Sequence, residues 1–343
     1  MQIYADRHAL HRIPELDKDL PKTMAYLRAS LEGLKCRVFS PMEGSLCAFF
    51  DFGKEEAIAF RADADALPIA EKTGADYASA HPGKMHACGH DGHMAILLEM
   101  ARRLKGKKTL PHNVLLVFQP AEETTGGAKD ICETGLFEEY KVKAIFGLHL
   151  WPGLPSGTVA SRKQELMARS CEVNVDIYGK SAHIAKASEG IDALMAGAEF
   201  YRRAVAMEQA LPEGIFRLLK FGRFQSGTVR NALSAHTHME GSLRAFQDEI
   251  FEYLANGLKT IAGEVEAEFG CTVNLHLNGG YPAVMNPEEL YDRAAKTVSF
   301  DASLPKILIL ENLCVIPPLL TSSLNQYFPL VGTTNSKFLL SPK

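Results

Sequence analysis

Two runs of almost unbroken apolar residues constrain this chain most. Residues 113–119 read NVLLVFQ and end at Pro120, and residues 144–152 read AIFGLHLWP. A strand with apolar side chains on both faces must be covered on both faces, which is the situation of an inner strand in an α/β sheet. The surrounding segments agree. CRVFS, SLCAFFDF and AIAFRADAD read as further strands. Residues 17–35 repeat apolar side chains at Leu20, Met24, Leu27, Leu31 and Leu34, the spacing of a helix. GHMAILLEMARRL repeats them at Met94, Leu97, Leu98 and Ala101, with Asp91 placed to cap its start. AKDICETGLF reads as a short helix closed near Gly135. The predicted first domain is a mixed α/β sheet between helical layers.

The pattern changes near residue 170. CEVNVDIYG alternates apolar and polar residues from Val173 to Tyr178. A helix is expected from about Ile191 to Val205, then strands in FRLLKFGRF and ALSAHTHMEGSLRAF, a long amphipathic helix from Asp248 to Phe269, and a strand in CTVNLHLNG. This order, βαββαβ, is the ferredoxin-like plan. Helical sequence resumes at NPEELYDRAAKTV. The expected organisation is therefore one domain built from residues 1–169 and 280–343, interrupted by an insert at 170–279.

Composition narrows the function classes. A net charge of −4 offers no basic surface to nucleic acid. No apolar run approaches the roughly 18 residues of a membrane span, and MQIYADRHALHRIPEL has no apolar core of a secretory signal. Seven cysteines, at 36, 47, 88, 132, 171, 271 and 314, are odd in number and unpaired in spacing. That usage fits a reducing compartment, so a cytoplasmic location is expected.

The chemistry concentrates in MHACGHDGH, Met85 to His93. In an extended chain Cys88 and His90 face one side, and His86 can join them. A thiolate and an imidazole suit zinc or a neighbouring transition metal. Glu122 and Glu123 follow the buried strand that stops at Pro120, and His149 closes the other. Ligand sites in α/β sheets gather outside the carboxyl ends of strands. Cys88, His90, Glu123 and His149 are thus expected to converge, leaving Glu122 as a base toward water. Each residue alone has a plainer reading: a packed cysteine, a hydrogen-bonded histidine, a solvated glutamate pair. Together these weaken, because a solvated loop gains nothing from following a buried strand.

DADALPI, MHACGHDGHMA, QPAEE, GLHLWP and GKSAHIA occur in this order over about residues 5–295. They resemble the metal-dependent amidohydrolases that include hippurate hydrolases, indole-acetyl-amino-acid hydrolases and N-acetyldiaminopimelate deacetylases, relatives of aminoacylase and zinc carboxypeptidases. The resemblance implies a metallopeptidase-like catalytic domain with an inserted ferredoxin-like dimerisation or lid domain, and a homodimer. It implies two divalent metals per site, zinc, manganese, cobalt or nickel. Cys88 would bridge them, and His90, Glu123 and His149 would be terminal ligands. Glu122 would be the general base and His183 would steady the oxyanion, reaching the partner's site. Asn231 and Arg244 would contact substrate, an ordinary surface ion pair being nearly as good a reading of Arg244. Asp65 would orient the site, His93 would lie behind the ligands or in the core, and His8 and His11 would be structural.

The expected reaction is hydrolysis of the amide of an N-acyl amino acid. A dipeptidase or carboxypeptidase of the same fold is the alternative, and a catalytically impaired paralogue is a third reading. The third arises from the tail. The family closes with Glu-Asp-Phe and a final histidine ligand, whereas the last histidine here is His276, and Asp301 and Glu311 are the only acids after residue 300. LPKILILENLCVIPPLLTSSLNQYFPLVG reads as apolar and patternless, the product of a shifted frame or of a degenerate paralogue, so a ligand and a closing strand are expected to be missing.

Overall fold

The computed structural model describes residues 2–124, 126–152, 159–279 and 281–296, with the backbone alone of residues 297 and 308–315. It divides into two compact units, residues 1–166 with 284–343, and residues 167–283.

The first unit begins with α1 (Gln2–His11) and α2 (Pro21–Leu31), then β1 (Arg37–Phe39), β2 (Leu46–Phe50), β3 (Ala57–Asp63), α3 (His90–Leu104) and β4 (Asn113–Gln119). There follow α4 (Gly127–Glu133), α5 (Leu136–Glu139), β5 (Val142–His149), β6 (Val159–Ala160) and β7 (Gln164–Met167). The helix expected over 17–35 is shorter than its apolar spacing suggests. Asp17 takes a left-handed conformation (φ 57°) and Pro21 opens α2, which delays the start. Gly135 (φ 74°) splits the AKDICETGLF helix into α4 and α5.

The second unit runs β8 (Arg169–Tyr178), a 3-10 turn (Ile184–Glu189), α6 (Ala193–Gln209), β9 (Arg217–Ser226), β10 (His236–Ala245), α7 (Asp248–Phe269) and β11 (Thr272–Gly279). The chain then returns to the first unit with β12 (Val284–Asn286), α8 (Glu288–Thr297) and β13 (Leu308–Val315).

The main sheet has the order β1-β2-β4-β3-β5-β13-β6. Its centre is parallel: β3 pairs with β4 and with β5 in that sense, so both apolar runs end at one edge of the sheet. Leu115 and Val117 of β4 pack with Ala128, Ile131 and Phe137 on one face. Leu116 and Phe118 pack with Leu27, Met94, Leu97 and Leu98 on the other. The continuous apolar run is thus explained by its two coverings. Leu308–Val315 lies antiparallel to β5, with Ile309 opposite His149. The part of the tail that reads as patternless therefore does supply a strand, between β5 and β6. Residues 298–307 and 316–343, on which the rest of the tail expectation falls, lie outside the described residues.

The second unit is an antiparallel sheet, β11-β8-β10-β9, with α6 and α7 packed on one face. Val173, Val175 and Ile177 point inward to meet Phe200, Leu254, Leu258 and Ile261. The alternate residues of β8 and β10 point the other way, where Asp176 Oδ1 lies 2.7 Å from His236 Nε2 and 2.9 Å from His238 Nδ1. No helix among the described residues is long and apolar enough to cross a membrane. Phe200 is fully buried and central to this unit. Phe200→Ala is expected to cost about 3–5 kcal/mol, read as a lower urea midpoint for the transition that contains the insert.

Candidate metal centre

The three segments at the carboxyl ends of β3, β4 and β5 build the site. After β4 the chain turns at Ala121, which is buried and held in the left-handed region (φ 55°), a conformation that costs an L-residue about 1–2 kcal/mol. Three main-chain hydrogen bonds hold it there. Ala121 N–H donates to Asp17 O (3.0 Å), and Ala121 O accepts from Gly126 (2.8 Å) and Gly127 (3.2 Å). Gly127 has to be glycine, since a Cβ would fall 2.3 Å from Pro120 O. The two glutamates are then fixed by Asp65. Its Oδ1 accepts from Glu122 N–H and its Oδ2 from Glu123 N–H, each at 3.0 Å.

The histidines are oriented just as specifically. Gly89 (φ 89°) ends the MHAC segment and lets α3 begin at His90. His90 Nδ1 lies 2.8 Å from Asp65 O, so it carries the proton and donates it. His90 Nε2 is left bare, 3.7 Å from Glu123 Oε1, 3.8 Å from Glu122 Oε2 and 3.4 Å from Asp63 Oδ2. His149 Nδ1 donates to Leu150 O (2.7 Å), and its Nε2 faces Cys88 Sγ at 3.5 Å. His93 Nε2 accepts from Leu150 N–H (2.8 Å), so its proton sits on Nδ1 and is donated to Asp63 Oδ1 (2.6 Å). Both nitrogens of His93 are engaged. It fixes the Leu150 peptide that in turn fixes His149, and it has no lone pair left for a metal.

The structure therefore brings together Cys88, His90, Glu122, Glu123 and His149. Donor atoms of Cys88, His90 and His149 lie within 4.8 Å of one another, as do those of His90, Glu122 and Glu123. The route differs from the expected one. Cys88 and His90 do not share a face of an extended strand; a left-handed glycine and a helix start converge them. His86 does not join them. Asp91 does not cap α3, whose first position follows Gly89. Its carboxylate instead takes hydrogen bonds from His11 Nδ1 (2.8 Å) and Arg7 Nε (3.2 Å), with Glu71 on the far nitrogen of His11 (3.3 Å). His93 lies behind the donors, as expected, with Asp63 the partner of its Nδ1. The left-handed turn at Ala121 had no signal in the sequence.

Electrostatically the cluster is built for a cation. Burial holds His90 down to about 3 and His149 down to about 4, so both imidazoles are neutral. Burial pushes Glu123 up to about 7. Burial, with Glu123 and Glu122 beside it, pushes the Cys88 thiol far above its ordinary range. Burial also opposes ionisation of Asp63, but the Arg61 guanidinium and the His93 N–H outweigh it and hold that carboxyl well below the usual range. His90 Nε2 and Glu123 Oε1 are buried with no hydrogen-bond partner. Two bare acceptors pointing together, with the far nitrogen of each histidine donating to a carbonyl, fit a divalent metal. One sulfur, two imidazole nitrogens and carboxylate oxygens suit zinc and the later first-row ions.

The remaining expected residues belong to the second unit. His183 is exposed and precedes the 3-10 turn, where its Nδ1 accepts from Ala185 N–H (3.1 Å). Asn231 is beside it, its carbonyl accepting from Ile184 N–H (3.1 Å). Arg244 is not with them. It pairs with Ser170 and Leu218 at the opposite end of β10 from His236, roughly 25 Å along the strand.

Comparison with known proteins agrees with this fold. The model of "Peptidase family M20/M25/M40" matches residues 59–306, more than half of the chain. An N-acetyldiaminopimelate deacetylase of Limosilactobacillus reuteri is 35% identical over 297 residues, covering 84% of this chain and 77% of that protein. A dinuclear metal-binding peptidase of Bacillus subtilis superposes with TM-score 0.72 at 30% identity, over 86% of this chain and 78% of that one. A putative aminohydrolase from methicillin-resistant Staphylococcus aureus superposes with TM-score 0.81 at 27% identity, over 90% and 88%. Because the Cys88 thiol is protonated in the metal-free site, metal uptake has to expel its proton. Titration with zinc or cobalt at pH 7 is expected to release at least about one proton per ion. Cys88→Ala should lower that number by about one, read with a pH indicator in weak buffer.

Proposed function

The chain belongs to peptidase family M20/M25/M40, and from that premise we propose that it is a metal-dependent amidohydrolase of N-acyl amino acids. The observation that carries this reading is the convergence of Cys88, His90, Glu123 and His149 beside a fully buried Glu122. The deacetylase relatives support the class of substrate.

In this reading Cys88, His90, Glu123 and His149 hold the divalent ion. When bound, it supplies Lewis acidity toward a carbonyl oxygen and acidifies water. Glu122 takes the proton of the attacking water as its oxygen adds to the carbonyl carbon. It delivers that proton to the nitrogen as the C–N bond breaks, giving a carboxylic acid and a free amine. Asp65 keeps Glu122 in place through the amide it holds. His183 carries its proton on Nε2, since Nδ1 accepts from Ala185, and so is a donor for the oxyanion. Asn231 adjoins it as a substrate contact. The distance between Asn231 and Arg244 along the insert means that one small ligand does not meet both within a single copy of this unit, and Arg244 is assigned a carboxylate contact from another direction.

The closing histidine of the resembled family has no counterpart after His276. We therefore assign this chain one tightly held ion and weak turnover. The test is release of free amino acid from N-acyl amino acids by the chain loaded with manganese, zinc, cobalt or nickel. Faster cleavage of dipeptides with a free amino terminus would favour the carboxypeptidase reading, and no turnover with metal bound would favour the impaired paralogue. Glu122→Gln should keep its metal and lose at least about a hundredfold in rate, since glutamine cannot take the proton. The insert presents the edge strands β9 and β11, and exposed Leu194, Met195 and Tyr201 on α6. Edges and apolar side chains of this kind are pairing surfaces, so a homodimer through the insert is assigned. Light scattering at micromolar concentration should give twice the chain mass, and charged substitution of Met195 should halve it.

A further inference from the structure

The chain between β3 and α3 forms a loop that the catalytic reading does not use. Leu67 and Met85 exchange both main-chain hydrogen bonds at 3.0 Å, which closes the neck of a loop over residues 68–84. Its Glu71, Thr73, Ala75 and Tyr77 form one wall of a hollow of about 480 Å3 that Cys88 also lines. The loop is tied to α1 through a buried imidazole. His11 Nδ1 lies 2.8 Å from Asp91 Oδ2, and its Nε2 lies 3.3 Å from Glu71 Oε1. The His11 side chain is 4% exposed, and those of Asp91 and Glu71 are 0% and 7% exposed. A carboxylate oxygen only accepts, so both ring nitrogens have to donate, and an imidazole with two N–H groups is a cation. His11 also ends α1, where the helix dipole favours positive charge.

The two carboxylates are not equivalent. Asp91 has a second cation, Arg7 Nε at 3.2 Å. Besides His11, Glu71 has neutral company, the Thr73 hydroxyl and Ser79 N–H at 2.6 Å. A neutral His11 keeps one proton. Kept on Nδ1 for the shorter bond to Asp91, it leaves a lone pair on Nε2 facing the Glu71 carboxylate. The other rings at this point are Tyr77, edge-on at 5.4 Å, and His86, at 6.4 Å and held neutral by burial, which brings it down to about 4. Neither replaces the lost charge. We propose that charged His11 is the latch of this loop: as an imidazolium it ties Glu71 to α1 and to Asp91 and holds residues 68–84 as a closed wall beside Cys88, and as a neutral imidazole it lets the Glu71 side go and the loop opens. The inference goes beyond the amidohydrolase reading and stands without it, since the latch is read from the loop itself, with no substrate.

The sign follows from the partners. The Asp91 hydrogen bond, with Glu71 adding to it, outweighs burial and raises the imidazole above its ordinary 6.5. A group raised on folding contributes fully below its unfolded value and loses that contribution as pH rises through the folded one. The latch is shut in mild acid and released as the pH climbs past the raised value. Hydrogen exchange of the full chain tests this, read by mass spectrometry on a peptide holding residues 68–84 between about pH 6 and about pH 9. The same peptide free in solution corrects for the intrinsic pH dependence. Protection of the loop is expected to fall by about tenfold or more across that range, the scale of one charge-assisted hydrogen bond. The β4 peptide, residues 113–119, should keep its protection. His11→Gln, neutral throughout, should abolish the step and leave the loop poorly protected at both ends. Glu71→Gln should shrink it. His8 and His81 also touch this region, through the Tyr77 ring at 3.8 Å and Pro14 O at 3.0 Å, so His8→Gln and His81→Gln should keep the step. A step that survives in His11→Gln overturns the proposal, as does loop protection that is independent of pH in the unaltered chain. If His11→Gln loosens β4 as well, Glu71→Gln decides, because its side chain lies on the loop itself, and a step of undiminished size there overturns the proposal.

Discussion

The base, one carboxylate donor and one imidazole donor of this site all depend on one buried carboxylate. Asp65 accepts the amide protons of Glu122 and Glu123 through its two oxygens, and its own carbonyl accepts the ring proton of His90. A single residue thus sets the base, one carboxylate donor and the tautomer of one imidazole donor. Charge-assisted hydrogen bonds of this kind are worth about 1.5–3 kcal/mol each, enough to offset the left-handed turn at Ala121 that brings the glutamates round. Burial raises the Asp65 carboxyl to about 6, and the two amides it accepts pull in the opposite direction. Its position was legible in the DADALPI motif, but that it holds two consecutive peptides emerges only when the ends of β3 and β4 lie side by side.

The sequence resolved the fold well where the physical signal is strong. The unbroken apolar runs became inner strands with helices on both faces, and the alternation beginning at Val173 became a sheet covered on one face. It failed at boundaries governed by single backbone conformations. Asp17 and Gly135 shorten or split helices whose apolar spacing carries on past them. Asp91 has the chemistry of a cap, yet the pull of His11 and Arg7 from a distant helix takes its carboxylate elsewhere, a tertiary interaction that no local pattern encodes. His86 is the instructive case. Its spacing to Cys88 places it with the donors in an extended chain, but only Cys88 is among the converging donors, and His86 is buried with neither ring nitrogen hydrogen-bonded.

His93 shows how a residue can matter to a metal centre without being a ligand. Its two nitrogens join Asp63 to the N–H of Leu150, and the carbonyl of that same residue takes the proton of His149. The bare nitrogen of His149 therefore faces Cys88 because of hydrogen bonds made two residues removed from it. Donor atoms oriented in this way before any ion arrives reduce the reorganisation that binding requires.

The side-chain bonds that orient the donors lie within residues 63–150, while the Ala121 turn is also tied to Asp17 O. Among the described residues, none of these side-chain bonds is made to the tail or to the insert. The hydrogen bonds that orient the donors are therefore local to this frame, whereas β5, which ends at His149, also has Leu308–Val315 as a paired neighbour. In the proposed reading, a ligand absent from the tail would be one contributed from outside this frame. Losing one member of a two-ion set weakens the ion that depended on it, while the ion held by Cys88, His90, Glu123 and His149 keeps its oriented donors. The division of labour in the chain thus predicts a graded failure: binding of one ion survives changes in the tail that abolish the second, and catalysis falls with the second ion before the fold of the site is affected.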